Sequence, residues 1–181
     1  MSSKLLDKLK GRPLLGDGAM GTQLQQAGLE SGGCGEAWNL NESDRVVAIQ
    51  RRYVEAGSDC LITNTFGGSR IMLERHMENP DVVGINKAAV EVARRAFGDF
   101  EGFVLGDIGP FGGLMEPYGE VTRSEVDRAF AEQARALVEA GADAIIIETQ
   151  TVLDEAGAAI AAAKEAGCLL YTSDAADEGL G

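Results

Sequence analysis

Leu14-Leu15-Gly16-Asp17-Gly18-Ala19-Met20-Gly21-Thr22 is the stretch whose reading decides the fold. Two apolar residues after Pro13 predict a short buried strand over 12–17, and that strand ends in a carboxylate flanked by glycines. Glycine has no Cβ, so backbone and ligand can approach closely there. An Asp at such a place is poor packing material and a good receptor for a cation. A chain that repeats this pattern, an apolar strand and then a polar residue at its C-terminal end, builds the wall of a site.

The pattern does repeat. Cys60-Leu61-Ile62 opens into Thr63-Asn64-Thr65-Phe66-Gly67-Gly68, and Phe103-Val104-Leu105 runs into Gly106-Asp107-Ile108-Gly109-Pro110. Ala144-Ile145-Ile146-Ile147 ends in Glu148-Thr149. Helical patterns separate these runs. One covers 3–10, with Leu5, Leu6 and Leu9 on one side, and one covers 18–27 and ends at Gly28. Asn41 or Ser43 is placed to cap a third that Gly57 stops, and a fourth covers 81–97. Thr122-Arg123-Ser124-Glu125 is a capping-box signature for a fifth, and an alanine-rich sixth covers 154–166. A long Gly-rich loop, 29–41, is of a length that is usually functional or mobile.

Continuous apolar strands alternating with helices predict a parallel α/β sheet. In a (β/α)8 barrel every strand C-terminus faces the end that carries the chemistry, and a whole barrel takes about 250 residues. The predicted fold is therefore the N-terminal half of a (β/α)8 TIM barrel, about four βα units, over 1–167. A weak internal echo supports it: Glu55-Ala56-Gly57-Ser58-Asp59 and Glu139-Ala140-Gly141-Ala142-Asp143 each lead from a helix into a strand. A fifth strand is due after Gly167, and 168–172 can start one. The run 168–178 also resembles a translated transposase adapter from sequencing libraries, so 168–181 is expected to be a non-native tail.

A net charge of −13 disfavours nucleic acid and anionic membrane surfaces as partners. No apolar run approaches the ~20 residues that span a bilayer, and Met1-Ser2-Ser3-Lys4 lacks a signal-peptide core, so a cytoplasmic location is expected. Cys34, Cys60 and Cys168 show no paired spacing, and His76 is the only histidine. A histidine triad or a multi-histidine metal site is excluded within this sequence.

Each candidate residue has a plain reading beside the functional one. Gly16, Gly18 and Gly21 match the G-x-G-x-x-G fingerprint, but the next strand begins near Cys60, too far for a dinucleotide site. Asp17 either receives a cation or caps the helix after it. Glu148 follows three isoleucines, where an unpaired carboxylate is costly and a cation relieves it. Thr63 and Thr65 are hydroxyl donors or ordinary strand residues, and Asp107 reads better as a turn former. Trp38 and Phe66 read as lids or packing groups over the mouth, Cys34 as a loop thiol, Cys60 as a small core residue and His76 as surface. Together, Asp17 and Glu148 suit either an acid/base pair of the glycosidase kind or a grip on one ammonium group, with Thr63 donating to a neighbouring carboxylate.

In order and spacing, Gly16-Asp17-Gly18-Ala19-Met20-Gly21-Thr22, Thr63-Asn64-Thr65-Phe66, Gly106-Asp107-Ile108-Gly109-Pro110 and Ile147-Glu148-Thr149 resemble the homocysteine S-methyltransferase family over about 10–166. The likeness is nearest to its cobalamin-dependent branch, whose homocysteine-binding barrel is N-terminal. The resemblance implies that Asp17 and Glu148 hold the homocysteine ammonium and that the Gly18 amide and Thr63 hold its carboxylate region. It implies Zn²⁺ bound by cysteines at the sixth and eighth strand ends, holding the substrate as a thiolate. This sequence stops before either position, so no zinc site and no catalytic residue are expected in it, and the fragment is expected to be inactive. The methyl donor is not legible; cobalamin would come through further domains. A two-carboxylate hydrolase and a non-catalytic half-barrel that pairs with a second chain are the alternatives.

Overall fold

The structure, a computed structural model, describes residues 4–172. In chain order it comprises α1 (Lys4–Gly11), α2 (Gly21–Gln26), α3 (Trp38–Asn41), α4 (Ser43–Glu55), β1 (Cys60–Ile62), α5 (Arg70–Leu73) and α6 (Val82–Phe97). There follow β2 (Phe103–Ile108), α7 (Arg123–Glu139), β3 (Ala144–Ile147), α8 (Leu153–Glu165) and β4 (Leu170–Thr172). The four strands form one parallel sheet in sequential order, with Leu61 opposite Val104, Gly106 opposite Ile145 and Ile145 opposite Leu170. β4 takes the place of the fifth predicted strand. The rest of the expected non-native tail, 173–181, lies outside the described residues.

The sheet has two unlike faces, as alternating side chains require. Leu61, Val104, Ile108, Ile145 and Ile147 point into the main core, where they meet Val90 and Phe97 of α6, Phe130 and Leu137 of α7 and the alanines of α8. Phe130 and Leu137 are fully buried, and truncating a side chain of that kind to Ala costs about 2–5 kcal/mol. On the opposite face Cys60, Leu105 and Ala144 form a smaller cluster with Leu5 of α1, Leu14, Phe103 and Leu169. Beside them lies an apolar cavity of about 250 Å³, bounded by Leu9, Ile62 and Ile146 among others.

The segment before β1 corrects the first expectation. It pairs along β1 through one bridge, Gly16 with Cys60, with Cys60 N–H donating to the Leu15 carbonyl at 3.0 Å and Asp17 N–H to the Cys60 carbonyl at 3.0 Å. It is not a buried strand over 12–17: Leu15 is 57% exposed. The segment has a strand neighbour on one side only among the described residues, so its outer flank stays in solvent.

The internal echo proves to be one device used twice. Gly57 and Gly141 stop their helices at φ 106° and 94°, a left-handed conformation that suits a residue without Cβ. The Asp two residues later ties the preceding strand: Asp59 accepts from Leu15 N–H at 2.9 Å and pairs with Arg12, and Asp143 accepts from Val104 N–H at 2.7 Å and pairs with Arg94. Arg12 holds the Asp59 carboxyl down at about 2. Other boundaries follow local chemistry. Thr122 and Glu125 form the full capping box, and Asp81 caps α6 through Gly84 N–H. Neither Asn41 nor Ser43 caps α4. The short α3, which lies inside the predicted loop, runs almost directly into α4 and leaves Glu42 at the cap without a side-chain bond. No helix among the described residues is long and apolar enough to cross a membrane.

Candidate functional site

A cavity of about 530 Å³ opens at the C-terminal ends of the strands. Asp17, Gly18, Thr63, Asp107 and Glu148 all line it, so the residues singled out from the sequence come together at one end of the sheet. Phe66 lies at its wall and is partly exposed, as a mouth residue should be. Trp38 is not at the mouth. It packs against the cluster of Leu24, Val46 and Ile49, with Arg45 over its ring at 5.3 Å.

Asp17 is held by the sheet and not by a helix. Both its carboxylate oxygens lie 3.1 Å from the Ile62 nitrogen, whose N–H donates to them, while α2 begins at Gly21 with Met20 as its N-cap and no side-chain cap. The capping reading is thereby set aside. Burial pushes the Asp17 acid up to about 7; the Glu148 charge adds to the shift and the Ile62 amide opposes it. Glu148 leaves β3 with its N–H donating to the Ile108 carbonyl at 3.3 Å, and burial raises its carboxyl as well. Thr149, next to it, sits at φ 57°. A β-branched residue there carries strain of order 1–3 kcal/mol.

Asp107 corrects the turn reading. β2 continues to Ile108, so Asp107 is a strand residue, 3% exposed, and its Oδ1 has no hydrogen-bond partner. Burial first, then the Glu148, Glu36 and Asp17 charges, push its acid well above the carboxylate range. The two threonines are tied to its backbone. Thr65 Oγ1 donates to the Asp107 carbonyl at 2.8 Å, which uses its only proton. Thr63 Oγ1, 2.6 Å from Thr65 Oγ1, must then be the donor of that pair, while accepting from Asp107 N–H at 2.9 Å.

Sequence reasoning missed the residues that hold this end in place. Glu36, from the Gly-rich loop, lines the cavity and accepts from Gly67 N–H at 2.7 Å. Buried carboxamides satisfy the carbonyls of the segment after β1. Gln50 donates to Ile62, Asn39 to Asn64, Asn86 to Gly68, and Gln133 to both Thr65 and Asp107. Backbone polar groups that leave a strand need such partners. The available signal was an amide on the apolar stripe of α4, α6 and α7, where a polar residue buries only if it is bonded. Gly68 is required by the same network: a Cβ there would lie 2.7 Å from Asn86 Oδ1 and 2.8 Å from Gln133 Nε2.

Among the described residues the cavity wall contains Asp17, Glu36, Asp107 and Glu148 and no Lys, Arg or His. Among the described residues no three His, Cys, Asp or Glu side chains come close enough to hold a metal. Burial pushes the Cys34 and Cys60 thiols up to about 11, which disfavours the thiolate that binds zinc. The described residues thus do not fit the zinc that the resemblance implies.

These features define the class: a parallel α/β domain with an acidic cavity at its strand C-termini. The chain belongs to the homocysteine S-methyltransferase family, whose profile matches residues 14–178. It is 35% identical over 175 residues to methionine synthase of Mycobacterium leprae (strain TN) and to that of Mycobacterium tuberculosis (strain ATCC 25618 / H37Rv). Each alignment covers 90% of this chain and 14% of the relative, so the chain spans a small part of those proteins. The homocysteine methyltransferase MmuM of Escherichia coli has the same fold. Its metallated form matches with TM-score 0.78 at 20% identity, over 93% of this chain and 65% of that one. Its oxidized form matches with TM-score 0.76 at 22% identity, over 93% and 63%.

Proposed function

We propose that this chain is the amino-acid-binding, N-terminal half of a (β/α)8 barrel from a cytoplasmic homocysteine S-methyltransferase of the methionine synthase type. Asp17 and Glu148 hold the homocysteine ammonium, and the Gly18 amide and Thr63 face its carboxylate. The observation that carries the reading is the pairing of Asp17 and Glu148 in one cavity with no cationic side chain in its wall. Two carboxylates that repel each other across a half-buried space have their charge relieved by an ammonium group. Family membership supplies the substrate, and sulfur activation is assigned to groups outside the described residues. The chain alone is then inactive in methyl transfer. Residues 168–181 are read as non-native, which resequencing the source DNA across codon 167 tests.

Calorimetry with L-homocysteine tests the binding reading. Asp17→Asn and Glu148→Gln should each weaken binding by about tenfold or more, since a hydrogen bond to a charged group contributes about 1.5–3 kcal/mol. 4-Mercaptobutyrate, which lacks the ammonium, should bind wild type no better than it binds the variants. Homocysteine binding that ignores both substitutions would overturn the reading.

A further inference from the structure

The cavity poses a problem that Asp17 and Glu148 do not solve. An amino acid brings a carboxylate as well as an ammonium, and no Lys, Arg or His lines the wall to receive it. The Gly18 amide has no hydrogen-bond partner among the described residues and can serve as one donor. The Thr63 hydroxyl proton is already engaged by Thr65, whose own proton is engaged by the Asp107 carbonyl. Thr63 can donate to a ligand only by giving up that bond.

We propose that Asp107 is a further substrate-binding residue, whose side-chain carboxylic acid donates a hydrogen bond to the α-carboxylate of the amino acid. It lines the same cavity as Asp17 and Glu148, is 3% exposed, and keeps Oδ1 free of any protein partner. Gln50, Asn86, Gln133 and Gln150 also keep a buried side-chain atom unpartnered among the described residues, but of the five Asp107 alone lines the cavity, where a ligand can supply the missing bond. Among the described residues no Lys, Arg or His lines the cavity beside Asp107, and no three ligating side chains converge to hold a metal. Three further carboxyl groups, on Asp17, Glu36 and Glu148, share its cavity. In that field the neutral acid is the favoured form, as its raised titration agrees. A neutral acid has one O–H to give, and an O–H donor to a carboxylate makes one of the strong, short hydrogen bonds. The ligand's two charged groups would then be sorted by protonation alone: ionised acids on the ammonium side, a neutral acid on the carboxylate side.

The proposal rests on the amino-acid reading of the cavity, and its test separates the two. Calorimetry compares L-homocysteine with 3-aminopropane-1-thiol, which keeps the ammonium and thiol and lacks the carboxylate, on wild type, Asp107→Asn and Asp107→Ala. Asp107→Ala should weaken homocysteine by about tenfold and leave the aminothiol unchanged within about twofold, the loss of one charge-assisted bond. Asp107→Asn, which keeps shape and a neutral donor, should hold homocysteine within about threefold of wild type. Equal weakening of both ligands by Asp107→Ala, or no weakening of homocysteine, overturns the proposal while the amino-acid reading stands. Wild type that binds neither ligand overturns that reading and the proposal with it.

Discussion

Asp17 is a residue kept at a cost to the fold. Its acid is raised to about 7 in the fold from an ordinary value of 3.8. Between those values the folded chain holds a proton that the unfolded chain has released, so its contribution to stability falls as pH rises from about 4 to about 7 and stays low above that. Asp17→Asn removes the charge and should therefore raise the melting temperature at pH 8, by roughly 2–4 °C for each kcal/mol recovered in a domain of this size. Thermal unfolding at pH 5 and pH 8 checks it: the gain should appear at pH 8 and shrink at pH 5. The same proton opposes an ammonium ligand, so homocysteine affinity measured from pH 6 to pH 8 should increase as Asp17 ionises. Asp17 and Glu148 were legible in the sequence because each is a carboxylate set directly after an apolar run. Asp107 was not, since a Gly-Asp-x-Gly-Pro string fits a turn as well as a strand, and only pairing with β3 decides between them.

At the scale of elements, the helices do more than cover the sheet. Gln50 of α4, Asn86 of α6 and Gln133 of α7 each send an amide through the core to a carbonyl of the segment 62–68, and Gln133 serves that segment and β2 at once. Gln133→Leu leaves the Thr65 carbonyl without that partner and removes one from Asp107, so it should cost about 1–3 kcal/mol in a urea unfolding curve. Homocysteine binding should weaken with it, although Gln133 lies outside the cavity. Element order and most helix ends could be read in advance, since capping boxes and glycine stops are local chemistry. The amide posts could not. A glutamine on a helix is an ordinary surface residue until the partner 68 positions away is known. The wrong reading of Leu15 has the same origin, since an apolar residue declares a strand but not which neighbours cover it.

For the whole molecule, the second face of the sheet sets behaviour in solution. Leu9, which bounds the cavity on that face, is 45% exposed, and Leu15, on the 14–17 segment whose flank has no strand beside it among the described residues, is 57% exposed. An apolar face beside an unpaired parallel edge favours association with other chains. The 181-residue chain should elute from size exclusion as oligomer or aggregate, and Leu15→Lys should shift it toward monomer; light scattering decides. Metal analysis of the purified chain should find no stoichiometric zinc, given thiols raised to about 11.

The Asp59–Arg12 tie at the opposite end of the sheet gives the molecule a direction under acid. Asp59, held at about 2 by Arg12, keeps its charge far below the range in which Asp17 loses its own. Mild acidification should therefore neutralise Asp17 while the Asp59–Arg12 tie stays charged, weakening the hold on an ammonium without loosening that tie. Homocysteine affinity should then fall on mild acidification and return on neutralisation with the fold unchanged, which calorimetry beside circular dichroism checks.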